Sequence, residues 1–253
     1  MQNENLITYL TEKNLWSFLN YFCDINSSYS CESFDYNWIK TDNCDWPNFI
    51  NYINLKGVDS EELFRHLTRQ SNPSLCLIGP HSSPTDILDG LIEHSFKLVD
   101  VWSGMEYDKS SKKQLMNIDH FAIQKVENLQ MLKSWIETCK MIFFPKKKIN
   151  EQKFAALLND KRFTLYIGLY NNLPVATSLS FHSDGVYGLY NIGTLKEYRN
   201  KGIGFIMTHL PVEEILQKNN NEPIILQATS IGEPVYKKVG FSKVCDFVIL
   251  SRG

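Results

Sequence analysis

Arg199, Gly202 and Gly204 stand at the spacing R-x-x-G-x-G, with Lys201 between them. An apolar, aromatic run over residues 186–192 leads into this turn, and a helix-like run leaves it. A turn at the start of a helix lines up backbone N–H groups that lack a carbonyl partner, at the positive end of the helix dipole. That arrangement suits a phosphate or pyrophosphate. Two glycines without Cβ let a ligand approach the backbone closely, and Arg199 and Lys201 add positive charge at the rim. The Walker pattern has no match in the chain. The dinucleotide pattern G-x-G-x-x-G fails because Met207 takes the place of the third small residue.

Such a turn needs a strand that ends at it and a helix that begins there. Residues 120–126 and 163–170 read as strands, as do 174–181 and 186–192, with turns at Asn171-Asn172 and Ser183-Asp184-Gly185. Leu129, Leu132, Trp135 and Ile136 mark an amphipathic helix ended by Phe143-Phe144-Pro145, and residues 154–158 form a second short helix. After the turn, Ile203, Ile206, Met207 and Leu210 share a helical face. Pro211 then predicts a kink or two short helices, since proline inside a helix removes a hydrogen bond. Residues 224–228 read as a strand, and Gly240 ends the helix that follows.

The 253 residues hold one large domain or two small ones, and 43% hydrophobic content provides for packed cores. A net charge of -2 argues against nucleic-acid binding through a basic surface. The six cysteines are scattered, with no C-x-x-C, so neither a zinc site nor a redox pair is expected. The start of the chain lacks signal-peptide order and no apolar run reaches the length of a membrane span, which reads as a cytoplasmic, soluble protein.

The first half reads as a helix over 6–22, a loop over 27–35, strands at 36–39 and 49–55, and a helix starting at Asp59. A strand at 75–78, a helix capped by Thr85 and a strand from Phe96 to Tyr107 follow. Its histidines, His66, His81 and His94, have no ligand partner at a recognisable spacing. Residues 75–100 and 224–246 both give strand, turn, helix, a bend ending in Phe, then strand. This parallel suggests that the first half is a degenerate copy of the second, without the R-x-x-G-x-G turn. The charged stretch Lys109-Ser110-Ser111-Lys112-Lys113 is the linker candidate, dividing a domain of residues 1–112 from one of 113–253.

R-x-x-G-x-G after a strand, with Glu197-Tyr198 just before the arginine, resembles motif A of the GNAT superfamily of acyl-CoA-dependent N-acetyltransferases. Y-x-K-x-G-F over residues 236–241 resembles the family's motif B. The resemblance covers roughly residues 118–253 and implies an α/β fold on a mixed sheet. It also implies acetyl-CoA as co-substrate, no metal, and an amine-bearing acceptor, small molecule or protein, with neither nucleic acid nor membrane as partner. Arg199, Asn200, Lys201, Gly202, Ile203 and Gly204 would hold the pyrophosphate. The splayed strand end, Ile192, Gly193 and Thr194, would present backbone N–H groups to the acyl group and pantetheine. Tyr236 matches the family tyrosine beside the coenzyme A sulfur and would protonate it, as a hydroxyl of pKa about 10 can at neutral pH.

The sequence departs from the family in three places. Thr229 stands where many members have asparagine, Pro211 interrupts a helix that is usually unbroken, and Gly188 takes the position of a frequent glutamate base. Tyr190, His182 and Asp184 are the alternatives for moving the proton, with an ordered water chain as a fourth. Two functions follow: N-acetyl transfer from acetyl-CoA to a primary amine, or a non-catalytic, coenzyme A-binding sensor or scaffold. A nucleotide-dependent enzyme is a distant third.

Overall fold

A computed structural model describes residues 2–23, 25–56, 60–69, 71–83, 87–111, 113, 116–218 and 221–253. Asp59, Thr85 and Lys112, expected as a helix start, a cap and part of a linker, lie outside the described residues. In chain order the elements are α1 (Gln2–Tyr21), β1 (Ile25–Ser30), β2 (Phe34–Lys40), β3 (Phe49–Leu55), α2 (Ser60–Leu67), β4 (Leu75–Ile78), α3 (Ile87–Glu93) and β5 (Phe96–Tyr107). Then come β6 (Phe121–Lys125), α4 (Leu129–Phe143), α5 (Glu151–Ala156), β7 (Phe163–Tyr170), β8 (Leu173–Ser183) and β9 (Val186–Thr194). The chain closes with α6 (Ile203–Gln217), β10 (Ile224–Ala228), α7 (Glu233–Val239) and β11 (Phe241–Arg252).

Among the described residues eleven strands form one mixed sheet in the order β1-β2-β3-β4-β11-β5-β10-β9-β8-β7-β6. The sequence helix, three strands, helix, strand, helix, strand occurs twice, with β6 and α5 as additions in the second pass. The last strands of the two passes are exchanged. β11 pairs with β4 of the first half, β5 pairs with β10 of the second, and β5 and β11 pair with each other along their full lengths. The exchange therefore crosses the expected boundary between residues 112 and 113.

Helices α1, α4 and α5 cover one face of the sheet, and α2, α3, α6 and α7 the other. Strand alternation divides the side chains. Phe247, Ile249 and Leu77 join the core beneath α1 and α4, while Leu250, Cys76 and Ile78 join the core beneath α2 and α3. Trp135 of α4 is fully buried, and its indole N–H donates to the carbonyls of Tyr166 (3.0 Å) and Ser178 (3.3 Å). That bond lets a tryptophan sit in a core without an orphaned donor.

Two expectations are corrected. Residues 27–35 are not simply a loop, because residues 25–30 form the edge strand β1. Its polar sequence is held by pairing with β2 and by Tyr29 stacking on Phe34 and Tyr36, contacts that local periodicity does not reveal. Helix α6 also runs through Pro211 as one helix, so the alternative of two short helices does not hold. Losing a helical hydrogen bond costs about 3 kcal/mol, and burial of Met207, Val212 and Ile215 around the proline offsets it.

The exchange yields a direct expectation. A fragment of residues 113–253 loses β4, β5 and α1, so β10 lacks one neighbour and β11 lacks both. We expect it to show no cooperative thermal melt alone and to regain one when co-expressed with residues 1–112.

Candidate active site

Strands β9 and β10 run parallel and pair at Tyr187–Ile224, Gly188–Ile225 and Leu189–Leu226, then separate. Among the described residues, the only strand beside β9 beyond Leu189 is β8, and the only strand beside β10 beyond Leu226 is β5. A V-shaped opening results, with backbone on both walls. On the β9 wall, Thr177 faces Gly193 and Leu179 faces Tyr190, so Ser178 stands against both Asn191 and Ile192. This is a β-bulge, and Asn191 takes a left-handed conformation (φ 50°) to make it. The Thr177 hydroxyl donates to the Asn191 carbonyl at 2.8 Å and holds the bulge in place. Ile192 and Thr194 thus lie on a strand end whose β10 side is unpaired.

The glycine turn follows directly. Arg199 Nε donates to the Thr194 carbonyl at 3.1 Å, which ties the guanidinium to the end of β9. Lys201 is exposed, with its Nζ 4.9 Å from the centre of the Tyr170 ring and 5.8 Å from that of Tyr198. Asn200 (φ 62°) and Gly202 (φ 80°) both adopt left-handed backbone. Ile206 N–H makes the first helical bond, to Gly202, so the N–H groups of Ile203, Gly204 and Phe205 have no carbonyl a turn earlier within the helix.

The glycines of the site answer to different demands. Gly202 is required by its φ. A Cβ at Gly204 would meet only Val235, at 3.6 Å, which is ordinary contact. Among the described residues nothing requires glycine there. A Cβ at Gly193 would press on Ile142 and Phe143 at the end of α4, so that glycine serves packing as well as backbone access.

Val235 places α7 against the start of α6, and Tyr236 is the next residue. Tyr236 is 9% exposed, packed among Leu226, Ala228 and Phe241, with its ring beside Gly232. Its hydroxyl has no hydrogen-bond partner among the described residues, and burial alone pushes the phenol well above its ordinary value. Glu233 fixes the helix start by accepting from the Ser103 hydroxyl at 2.8 Å and pairing with Lys237 at 2.6 Å. The Thr229 carbonyl accepts the N–H groups of Gly232 and Glu233 at 3.0 Å, so Thr229 forms the turn between β10 and α7 and its side chain is exposed.

The candidates for the base lie elsewhere. Tyr190 turns to the α1 face, where its ring stacks on Phe18 at 3.8 Å and its hydroxyl donates to Asn14 Oδ1 at 2.7 Å. Its phenol is raised far above the usual value by complete burial. His182 pairs with Glu222 (2.8 Å) and Asp184 with Lys13 (2.9 Å) at the β8–β9 hairpin, the end of β9 away from the opening. A side chain at Gly188 would collide with Asn14 and Tyr190, so this fold leaves no room for a glutamate there.

The corresponding place in the first half is filled. Strands β3 and β4 pair at Phe49–Leu75 and Ile50–Cys76, and residue 83 then bonds to β3, Ser83 N–H to the Ile53 carbonyl (2.8 Å) and Leu55 N–H to the Ser83 carbonyl (2.9 Å). The Glu12 carboxylate, bonded to His81 Nδ1 at 2.6 Å, packs against Gly79 beside it. Among the described residues, no group of three or more His, Cys, Asp or Glu could hold a metal ion, and no helix is long and apolar enough to cross a membrane.

No protein-family model matches the sequence, and no curated protein matches it. Solved structures do match in fold. A GCN5-related N-acetyltransferase from Kribbella flavida superposes with a TM-score of 0.69 at 12% identity, over 96% of this chain and 95% of that one. Another from Sphaerobacter thermophilus gives a TM-score of 0.61 at 11% identity, covering 87% and 80% of the two chains. A tandem GNAT protein from the clavulanic acid biosynthesis pathway gives 0.62 at 8% identity, covering 95% and 87%. The chain therefore has the mixed α/β fold of the GCN5-related N-acetyltransferases, and the likeness extends over nearly its whole length.

Proposed function

We propose that the protein transfers an acetyl group from acetyl-CoA to a primary amine, in the opening between β9 and β10. The observation that carries this reading is the joining of three features at one place: the parting of the strands after Leu189 and Leu226, the bulge at Asn191–Ile192, and a left-handed glycine turn at the start of α6. The turn's free N–H groups, Arg199 and Lys201 suit a pyrophosphate. The unpaired edge of β9 beyond the bulge suits an extended amide chain and a thioester carbonyl. Backbone donors aimed at developing negative charge contribute several kcal/mol to such a reaction.

In this reading the neutral amine attacks the thioester carbon, charge builds on the carbonyl oxygen near the β9 N–H groups, the sulfur leaves as Tyr236 gives it a proton, and the proton lost by the nitrogen passes through ordered water to restore the Tyr236 phenol. The unpartnered hydroxyl supports that role, since a buried phenol with no internal acceptor keeps its proton for an incoming group. Tyr190 is committed to Asn14 and serves packing. A compartment in the cytoplasm accords with cysteines that form no disulfide among the described residues. We further infer that the first half is a copy of the second that keeps the fold and has lost the site, because its equivalent opening is bonded shut by Ser83.

Acetyl-CoA at about a hundred times its Kd should add roughly 2.7 kcal/mol to unfolding stability. Gly204→Glu should fold and lose that gain. Gly202→Ala should cost about 1 to 2 kcal/mol without ligand, because alanine is strained at φ 80°. Gly204→Ala should be neutral or slightly stabilising, and denaturant titration separates the two. Tyr236→Phe should lower kcat at least tenfold with acetyl-CoA affinity kept; undiminished turnover would exclude Tyr236 as the acid. With its phenol raised, Tyr236 stays protonated through pH 10, so the rate should show no alkaline loss from this group below that pH.

A further inference from the structure

Strand β5 outruns the strand beside it. β11 pairs with β5 from Phe96 to Tyr107, whereas β10 pairs only from Ser103 to Glu106. Among the described residues, no strand pairs with the other edge of residues 96–102. This free edge stands directly beyond the end of β10, across the opening from β9. Leu98 (61% exposed), Val99 (56%), Val101 (39%) and Ile231 (77%) leave apolar surface around it. Asp100 sits on the edge itself. One carboxylate oxygen accepts the Val101 N–H at 2.8 Å and the other accepts the Trp102 indole N–H at 2.9 Å.

We propose that this edge receives the N-terminal segment of an extended polypeptide, whose terminal α-amine is the acetyl acceptor. Strand polarity decides the end. β5 runs antiparallel to β10, so a peptide adding antiparallel to the same edge continues the line of β10 and runs in its direction. Its first residue then lies at the Ala228 end, beside the opening. A peptide in the opposite sense would bring a carboxylate to the same place, against Asp100. The ammonium of a free N-terminus complements the Asp100 carboxylate, and as that carboxylate turns to it, Val101 N–H becomes available to a peptide carbonyl. Main-chain bonds on this edge supply affinity with little demand on sequence, and the exposed Leu98 and Val101 suit apolar side chains on the peptide. That the bound peptide is an acceptor rests on the acetyl-transfer reading; that it binds does not.

The test uses the full chain and a C-terminally fluorescein-labelled hexapeptide, Ala-Val-Ser-Val-Ser-Gly, read by anisotropy. We expect the free-amine peptide to bind at least tenfold more tightly than its N-acetylated form. Backbone N-methylation of one alternate set of peptide nitrogens should weaken binding at least tenfold, and methylation of the other set should not. Asp100→Asn should erase the difference between the free and acetylated peptides, while a thermal melt shows it folded. Equal binding of the free, acetylated and both methylated peptides, or no binding at millimolar protein, overturns the proposal. Acetyl transfer to small amines without peptide binding sinks the edge and leaves the transferase reading intact. Peptide binding of the expected pattern, without any stabilisation by acetyl-CoA, does the reverse.

Discussion

The pairing of β5 with β11 is the contact on which the rest of the structure depends. Each is the last strand of its half, and each lies against the other half's sheet. Twelve residues of β5 and twelve of β11 run side by side, with bulges at 243/245 and 249/250 that switch the side chains between faces. Because of the shift at 243/245, Phe241 joins the core beneath α7 while Phe247 joins the core beneath α1. Two residues an even number apart thereby face opposite sides of the sheet, which regular alternation does not allow. Helix α1 follows the same logic. It belongs to the first half, yet Phe18, Asn14 and Thr11 pack on Tyr190, Gly188 and Gln227 of the second.

This arrangement positions the site from outside it. The opening between β9 and β10 exists because the strands stop pairing after three residues, and each wall is held by another neighbour, β8 on one side and β5 on the other. An unpaired backbone edge in a protein interior is costly unless something satisfies it. In the proposed reading a single elongated ligand, with a phosphate end at the start of α6 and an amide body along β9, satisfies the free donors of both. The small departures from regular structure cluster there as well: Asn191 and Asn200 in left-handed backbone, Gly202 beyond them, and the bulge between. The left-handed Asn191 costs local free energy and is held by the Thr177 bond, and the Arg199 bond to Thr194 ties the turn to the end of β9.

Much of this was legible in the sequence because it is local. The R-x-x-G-x-G spacing announced the turn, and the alternation and bounding turns of residues 163–194 placed three strands within a residue or two of their observed ends. Phe96 to Tyr107 was read as one strand and is one. What could not be read depends on partners distant in the chain. Residues 27–35 look like a loop because β1 draws its stability from β2 and from the ring of Tyr29. Pro211 breaks a helix by propensity and is carried by burial. Tyr190 looked available for proton transfer because nothing in its neighbourhood of sequence shows that Asn14, 176 residues away, takes its hydroxyl. Asp100 gave no sequence signal at all, since its place beside the opening follows from strand exchange alone.

The exchange also sets an order on synthesis. Strand β11 is made after every other strand of the sheet, and its place is between β4 and β5, which are made in the first half. While the chain emerges, β4 and β5 therefore have no strand between them, and the apolar residues Cys76, Ile78 and Phe96 that Leu250 later joins wait in an unfinished core. Open strand edges of this kind are templates for wrong pairing. The core of the first half lacks one of its strands until β11 has been made, so its completion coincides with that of the sheet. Crowding of nascent chains on one message, rather than heat applied to the finished protein, is then the circumstance in which this architecture is most exposed to aggregation.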